Sequence, residues 1–154
     1  MFKHILIPTD GSDLSNEAVR AGVRFAAALG ARVTGFFAAP APTPIVYSHF
    51  VPVGLMPPEE HAKLIERTAT HYLNAVTHAA RAAGVECDVV HETNDFPADA
   101  IINAARERGC DCIFMASHGR HTRRGAALGS ETQKVASGAH VPVLIYRVEA
   151  SSGE

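Results

Sequence analysis

Cys110-Asp-Cys-Ile-Phe-Met115-Ala116-Ser117-His118-Gly119 leads, across residues 120–128, to Gly129-Ser130. Asp111 to Met115 reads as a buried strand. A loop rich in glycine and basic residues follows, and a helix opens at Ser130. A strand, a loop exposing backbone N–H groups and a helix N-terminus together form an anion cradle, and phosphate is the guest that suits it.

Working outward, the chain alternates strands with helices. Ile5-Leu-Ile-Pro8 reads as a short buried strand that ends in the loop Thr9-Asp10-Gly11-Ser12. Ser12 or Asp13 caps the helix that follows. Its apolar residues Ala18, Val19, Gly22, Phe25, Ala26 and Leu29 recur at helical spacing, and Gly30 stops it. Arg32 to Ala38 is the second strand. Residues 39–57 hold too many prolines for a helix or a central strand, so they read as a long apolar loop. A long helix runs from Pro58 to about Ala83 and ends at Gly84. Val85 to His91 alternates as a strand with one wetter face. Asp95 or Asp99 caps a third helix reaching Arg108, with Gly109 after it. A fourth helix spans Ser130 to about Ser137, and Val141 to Val148 is the last strand. Alternation of this kind predicts a single-domain, three-layer α/β/α fold on a parallel sheet with right-handed crossovers. The domain takes in residues 1–148, and residues 149–154 form a polar tail. Ligands of such sheets bind beyond the carboxyl ends of the strands, where the strand order reverses. The loops after Pro8, Ala38 and Met115 therefore converge.

Composition narrows the classes of function. The chain has 154 residues, of which 47% are hydrophobic and 19% charged, which suits a folded globular domain rather than a disordered one. A net charge of −2 gives no global attraction to nucleic acid or an anionic membrane. No stretch is long and apolar enough to span a bilayer, and the N-terminus lacks the form of a signal peptide, so a cytoplasmic location is expected. Cys110 and Cys112 flank one residue of the fourth strand and so should share a face. They and Cys87 read as inert thiols rather than a disulfide framework. The nine histidines are scattered without metal-ligand spacing. His71 and His78 on the long helix are the pair best placed to share a face. No Walker A, G-x-G-x-x-G or G-x-S-x-G pattern occurs.

The site residues each carry two readings. Asp10, directly after the first strand, suits hydrogen bonds from ribose hydroxyls or Mg²⁺ held through water, and equally suits an early helix cap. Gly119 and Gly129 supply either positive φ or close approach. Ser130-Glu-Thr-Gln133 has the form of a capping box, which shares its geometry with phosphate binding. His118, Arg120, His121, Arg123 and Arg124 neutralise phosphate or simply coat a solvated loop. Glu131 suits the positive end of a helix but repels a phosphate.

Three segments carry a resemblance that covers nearly the whole chain: Ile5-Leu-Ile-Pro-Thr-Asp-Gly-Ser12, Ser117-His118-Gly119 with Gly129-Ser130, and Val141-Pro-Val-Leu-Ile-Tyr146. In this order and at these distances they resemble the universal stress protein family. The resemblance implies a five-stranded parallel sheet of order 3-2-1-4-5, adenine nucleotide α-hydrolase-like. It also implies a homodimer joined through the last strand, Val141 to Val148. One branch of the family binds ATP or AMP and carries G-x2-G-x9-G-[ST]. This chain has Ala116 at the first glycine, then Gly119, Gly129 and Ser130. If that first position needs positive φ, a Cβ costs about 1–2 kcal/mol. Glu131 stands where the family often has an apolar residue. By position, Pro8, Thr9 and Asp10 would meet adenine and ribose, and Ala38 would line the adenine pocket through its backbone. Met115 and Ala116 would flank the ribose. Gly119, Arg120, Gly129, Ser130, Glu131 and Thr132 would surround the phosphates. The implied function is an ATP- or AMP-binding homodimeric regulator of the stress response that acts on a protein partner, with Mg²⁺ at Asp10 and at most slow hydrolysis. The alternative is a dimeric interaction module that binds no nucleotide.

Overall fold

The first strand, β1 (His4–Pro8), is buried along its whole length. A continuous apolar run of this kind belongs at the centre of a parallel sheet, covered on both faces. In the computed structural model, which describes residues 1–41, 46–48, 51–54, 57–119 and 128–148, β1 does occupy the centre. Its parallel neighbours are β2 (Arg32–Ala39) and β6 (Cys112–Ala116). The sheet is completed by β5 (Cys87–Thr93) beside β2 and β7 (Val143–Tyr146) beside β6. The order β5-β2-β1-β6-β7 is 3-2-1-4-5 when these five strands are numbered alone, as the resemblance implied. The strand order reverses at β1, so the crevice at the switch lies beyond the carboxyl ends of β1 and β6.

Helices cover both faces. On one side α1 (Asp13–Leu29) and α2 (Pro58–Ala83) pack Val19, Val23, Ala26, Val76 and Ala80 against Ile5, Ile7, Val33, Cys112 and Phe114. On the other, α3 (Pro97–Glu107) and α4 (Ser130–Gly138) pack Ala98, Ile101, Ala105 and Val135 against Leu6, Phe36, Ile113 and Met115. The period-two alternation of β1, Ile5 and Ile7 against Leu6, divides the strand between the two cores. The helix α2 adds a third cluster, with Ile65, Ala69 and Leu73 on Phe37 and Ala39. Among the described residues no helix is long and apolar enough to cross a membrane.

Several local expectations hold. Ser12 caps α1, its side chain accepting the Ser15 N–H at 3.2 Å, and Gly30 and Gly84 close α1 and α2 in the left-handed region. Others need correction. The strand expected at Val85 begins at Cys87, because the Val85 N–H is spent on the Ala80 carbonyl in the α2 cap. It is largely exposed on both faces, as an edge strand. The last strand covers Val143 to Tyr146, not Val141 to Val148. Within residues 39–57, expected to be loop throughout, Val46–Ser48 (β3) and Val51–Gly54 (β4) pair as a short antiparallel hairpin. Cys110 precedes β6 and joins the α3/α4 core, whereas Cys112 joins the α1/α2 core, so the two thiols do not share a face. Burial pushes both up to about 11, and raises Cys87 as well, which leaves them protonated and unreactive. Neither Asp95 nor Asp99 caps α3. The Asp95 carboxylate accepts the Ala41 N–H at 2.9 Å, and the N-cap is Phe96, followed by Pro97. Residues 149–154, expected to be a polar tail, lie outside the described residues.

Candidate functional site

The β1–α1 loop folds on its own hydroxyls. Thr9 extends the sheet through its N–H to the Phe36 carbonyl at 2.9 Å. Its buried hydroxyl accepts from Ser15 Oγ at 2.9 Å and from the Gly11 N–H at 3.2 Å. Ser15 Oγ in turn accepts the Asp10 N–H at 3.2 Å. Asp10 Oδ1 accepts the Ser12 N–H at 2.9 Å, a local turn that fixes the carboxylate. Asp10 is thus a turn former, and Ser12 is the helix cap. The sequence reading passed over Ser15. Its only signal is a hydroxyl in the first turn of α1, and it is the residue that links Thr9 to Asp10.

The β6–α4 loop is cinched at its base. Ser117 N–H continues the sheet to the Tyr146 carbonyl at 2.9 Å, and Ser117 O accepts the Gly129 N–H at 2.7 Å. Buried Thr132 donates its hydroxyl to the Ala116 carbonyl at 3.0 Å, tying the first turn of α4 to the end of β6. The Ser117 hydroxyl meets His118 Nδ1 at 2.8 Å. Arg120, His121, Arg123 and Arg124, singled out for phosphate, lie outside the described residues.

The two loops meet at one point. A Cβ placed on Gly119 would lie 2.8 Å from Asp10 Oδ2. Close approach, not positive φ, is therefore what glycine provides at this position. Gly129 has φ −65° and ψ 154°, open to any residue, and serves as the N-cap of α4. This corrects the capping box: Ser130 is already inside the helix, and Gln133 Nε2 donates to the Leu128 carbonyl at 3.1 Å instead of closing the box. Ala116 is the last residue of β6, paired with Tyr146 in the extended conformation. A Cβ carries no left-handed strain there. Glu131 is engaged by α3 and by its own helix: its Oε2 accepts the Ala98 N–H at 3.0 Å, and its Oε1 takes the exposed Lys134 ammonium at 3.3 Å. Its carboxylate supplies the missing cap of α3. Pro8 closes β1, half-buried Ala38 lies near the end of β2, and Met115 is buried in the α3/α4 core.

Asp10, Gly119, Gly129 and Ser130 thus come to one end of the sheet, at the reversal of strand order. Among the described residues no group of three or more histidines, cysteines and carboxylates gathers to hold a metal. The other face of the β1–α1 loop touches α2: a Cβ on Gly11, at φ +77°, would clash with the Tyr72 ring.

With this geometry in view, the chain matches the Universal stress protein family over residues 1–147. It is 30% identical over 152 residues to a universal stress protein of Methanocaldococcus jannaschii, covering 96% of this chain and 83% of that one. It is 29% identical over 156 residues to a universal stress protein of Bacillus subtilis, covering 96% and 100%. Among solved structures it resembles a universal stress protein in complex with cAMP (TM-score 0.67, 23% identity, 95% of this chain and 97% of that one). It also resembles the Archaeoglobus fulgidus protein in complex with dAMP (TM-score 0.63, 19% identity, 96% and 98%). A third likeness is to an Arabidopsis thaliana family protein with AMP bound (TM-score 0.66, 15% identity, 96% and 93%).

Proposed function

The chain belongs to the universal stress protein family, and we propose on that premise that it is an adenine-nucleotide-binding regulator of the stress response, acting as a cytoplasmic homodimer. The observation that carries the reading is the approach of Gly119 to the Asp10 carboxylate beyond the ends of β1 and β6. The cAMP, dAMP and AMP complexes of its structural relatives support it. In this reading Pro8, Thr9 and Asp10 meet adenine and ribose, Ala38 lines the adenine, and Met115 and Ala116 flank the ribose. Gly119, Arg120, Gly129, Ser130 and Thr132 surround the phosphates. Glu131 orients α4 through its bond to α3. Asp10 would be the residue to hold a Mg²⁺ brought in with the nucleotide, where the ion would neutralise phosphate charge, since magnesium prefers few protein ligands. ATP is hydrolysed slowly at most, and the output is a conformation read by a protein partner. The nucleotide drives that output only through a difference in affinity between two states.

A second reading is a dimeric module without nucleotide. The observation in its favour is a carboxylate, Glu131, in the first turn of the helix that would face phosphate. Thermal unfolding of nucleotide-stripped protein separates the two. A ligand at about 100-fold its Kd raises Tm by roughly 5–10 °C for a domain of this size. Such a rise with ATP or AMP, absent with inorganic phosphate, supports the first reading; no rise with either nucleotide, with or without Mg²⁺, leaves the second.

A further inference from the structure

Tyr72, half-buried on α2, touches two of the segments that build the crevice. Its ring meets that of Phe37 at a centroid distance of 5.1 Å and an interplanar angle of 85°, the edge-to-face geometry that aromatic pairs favour. Phe37 is buried beside Ala38 on β2, in the cluster that α2 completes with Ile65, Ala69 and Leu73. The same ring lies against the backbone of Gly11, where a Cβ would clash with it. Gly11 is therefore glycine on two counts. Its φ of +77° is left-handed, and the ring leaves no room for a side chain.

The consequence falls on the next residue. Gly11 stands between Asp10 and Ser12, and Asp10 Oδ1 accepts the Ser12 N–H at 2.9 Å across it. A carboxylate held in this way is aimed by the turn that carries it. Glycine gives that turn the backbone it needs but little stiffness, because it has the widest choice of φ and ψ to lose. The Asp10 N–H, bonded to Ser15 Oγ at 3.2 Å, ties the turn to α1. Tyr72 adds a restraint from α2 and, through Phe37, from β2.

We propose that Tyr72 is a positioning residue for adenine nucleotide: set between Phe37 and Gly11, its ring fixes the turn that presents the Asp10 carboxylate. It acts through Asp10 and does not itself touch the ligand. The inference rests on the nucleotide reading and extends that site to a residue of α2, outside the sequence motifs.

Calorimetric titration of Tyr72→Leu and Tyr72→Phe, each with Asp10 intact and as Asp10→Ala, tests it with the nucleotide that the native protein takes, ATP or AMP. Tyr72→Leu keeps an apolar side chain on the cluster but removes the ring. It is expected to weaken binding about fivefold or more, whereas Tyr72→Phe, which keeps the ring, stays within about twofold of the native protein. In the Asp10→Ala background the loss from Tyr72→Leu should shrink to less than about twofold, because the group that Tyr72 positions is gone. A general loosening of the fold would cost the same in both backgrounds. Hydrogen exchange reads the turn without any ligand: the Ser12 amide should exchange faster in Tyr72→Leu than in Tyr72→Phe, while the Leu6 amide at the centre of the sheet keeps its rate. The proposal is overturned, with the nucleotide reading left standing, if Tyr72→Leu binds like the native protein, if Tyr72→Phe loses as much as Tyr72→Leu, if the loss is undiminished in Asp10→Ala, or if Ser12 exchange is unchanged. No binding by the native protein overturns the nucleotide reading and this inference with it.

Discussion

At Gly119 a single hydrogen separates the β6–α4 loop from the Asp10 carboxylate. Gly119→Ala puts a methyl 2.8 Å from Oδ2, so either the carboxylate or the loop must move. Both lie outside the core, so the folded protein should tolerate the change. The expected outcome is a loss of about tenfold in adenine nucleotide affinity with Tm nearly unchanged; an unaltered affinity would remove the contact from the account. His4, far from the site at the amino end of β1, gives a pH prediction. It is buried, with Nε2 2.7 Å from the Thr34 hydroxyl, and burial lowers its affinity for protons below the usual 6.5. The unfolded chain therefore binds the proton more readily, so stability falls as pH drops below that value. Urea unfolding across this range should show the decline, and His4→Gln should flatten it.

The elements show what local sequence specifies and what it leaves open. Ser12, Gly30, Pro58 and Gly84 mark helix ends through contacts within one turn, and each stands where the sequence places it. The start of α3 was not legible, because the carboxylate at its first turn, Glu131, comes from α4 and is met only after folding. Ser130-Glu-Thr-Gln133 misled for a related reason. Gly129 takes the cap position when its N–H returns to Ser117, and the box then has no role. Ala116 looked like a defect in a glycine pattern; its extended conformation becomes visible only when it pairs with Tyr146. At this scale Thr132 is the joint between β6 and α4. Thr132→Val keeps the shape but leaves the buried Ala116 carbonyl unpaired, at a cost of about 1–3 kcal/mol, to be read from chemical denaturation. A cost near zero would mean that the joint does not hold the loop.

Across the whole molecule, the doubly wound sheet was readable from the alternation of buried strands and amphipathic helices, because each burial pattern repeats within its own element. The convergence of Asp10 and Gly119, distant in the chain, follows from that topology rather than from either motif alone. The same sheet leaves β7 as an edge, half-buried at every residue from Val143 to Tyr146. Unpaired edges invite pairing with another chain, so the proposed dimer should appear in light scattering as a mass twice the 16.4 kDa of one chain. A mass of one chain at micromolar concentration would refute it. The central claim is met most directly by calorimetric titration of nucleotide-stripped protein with ATP and AMP, beside the same titration of Asp10→Ala. The account predicts saturable, micromolar binding of at least one of them, weakened at least about tenfold by the substitution. Absence of heat from the native protein at millimolar nucleotide, or equal affinity in Asp10→Ala, would contradict it.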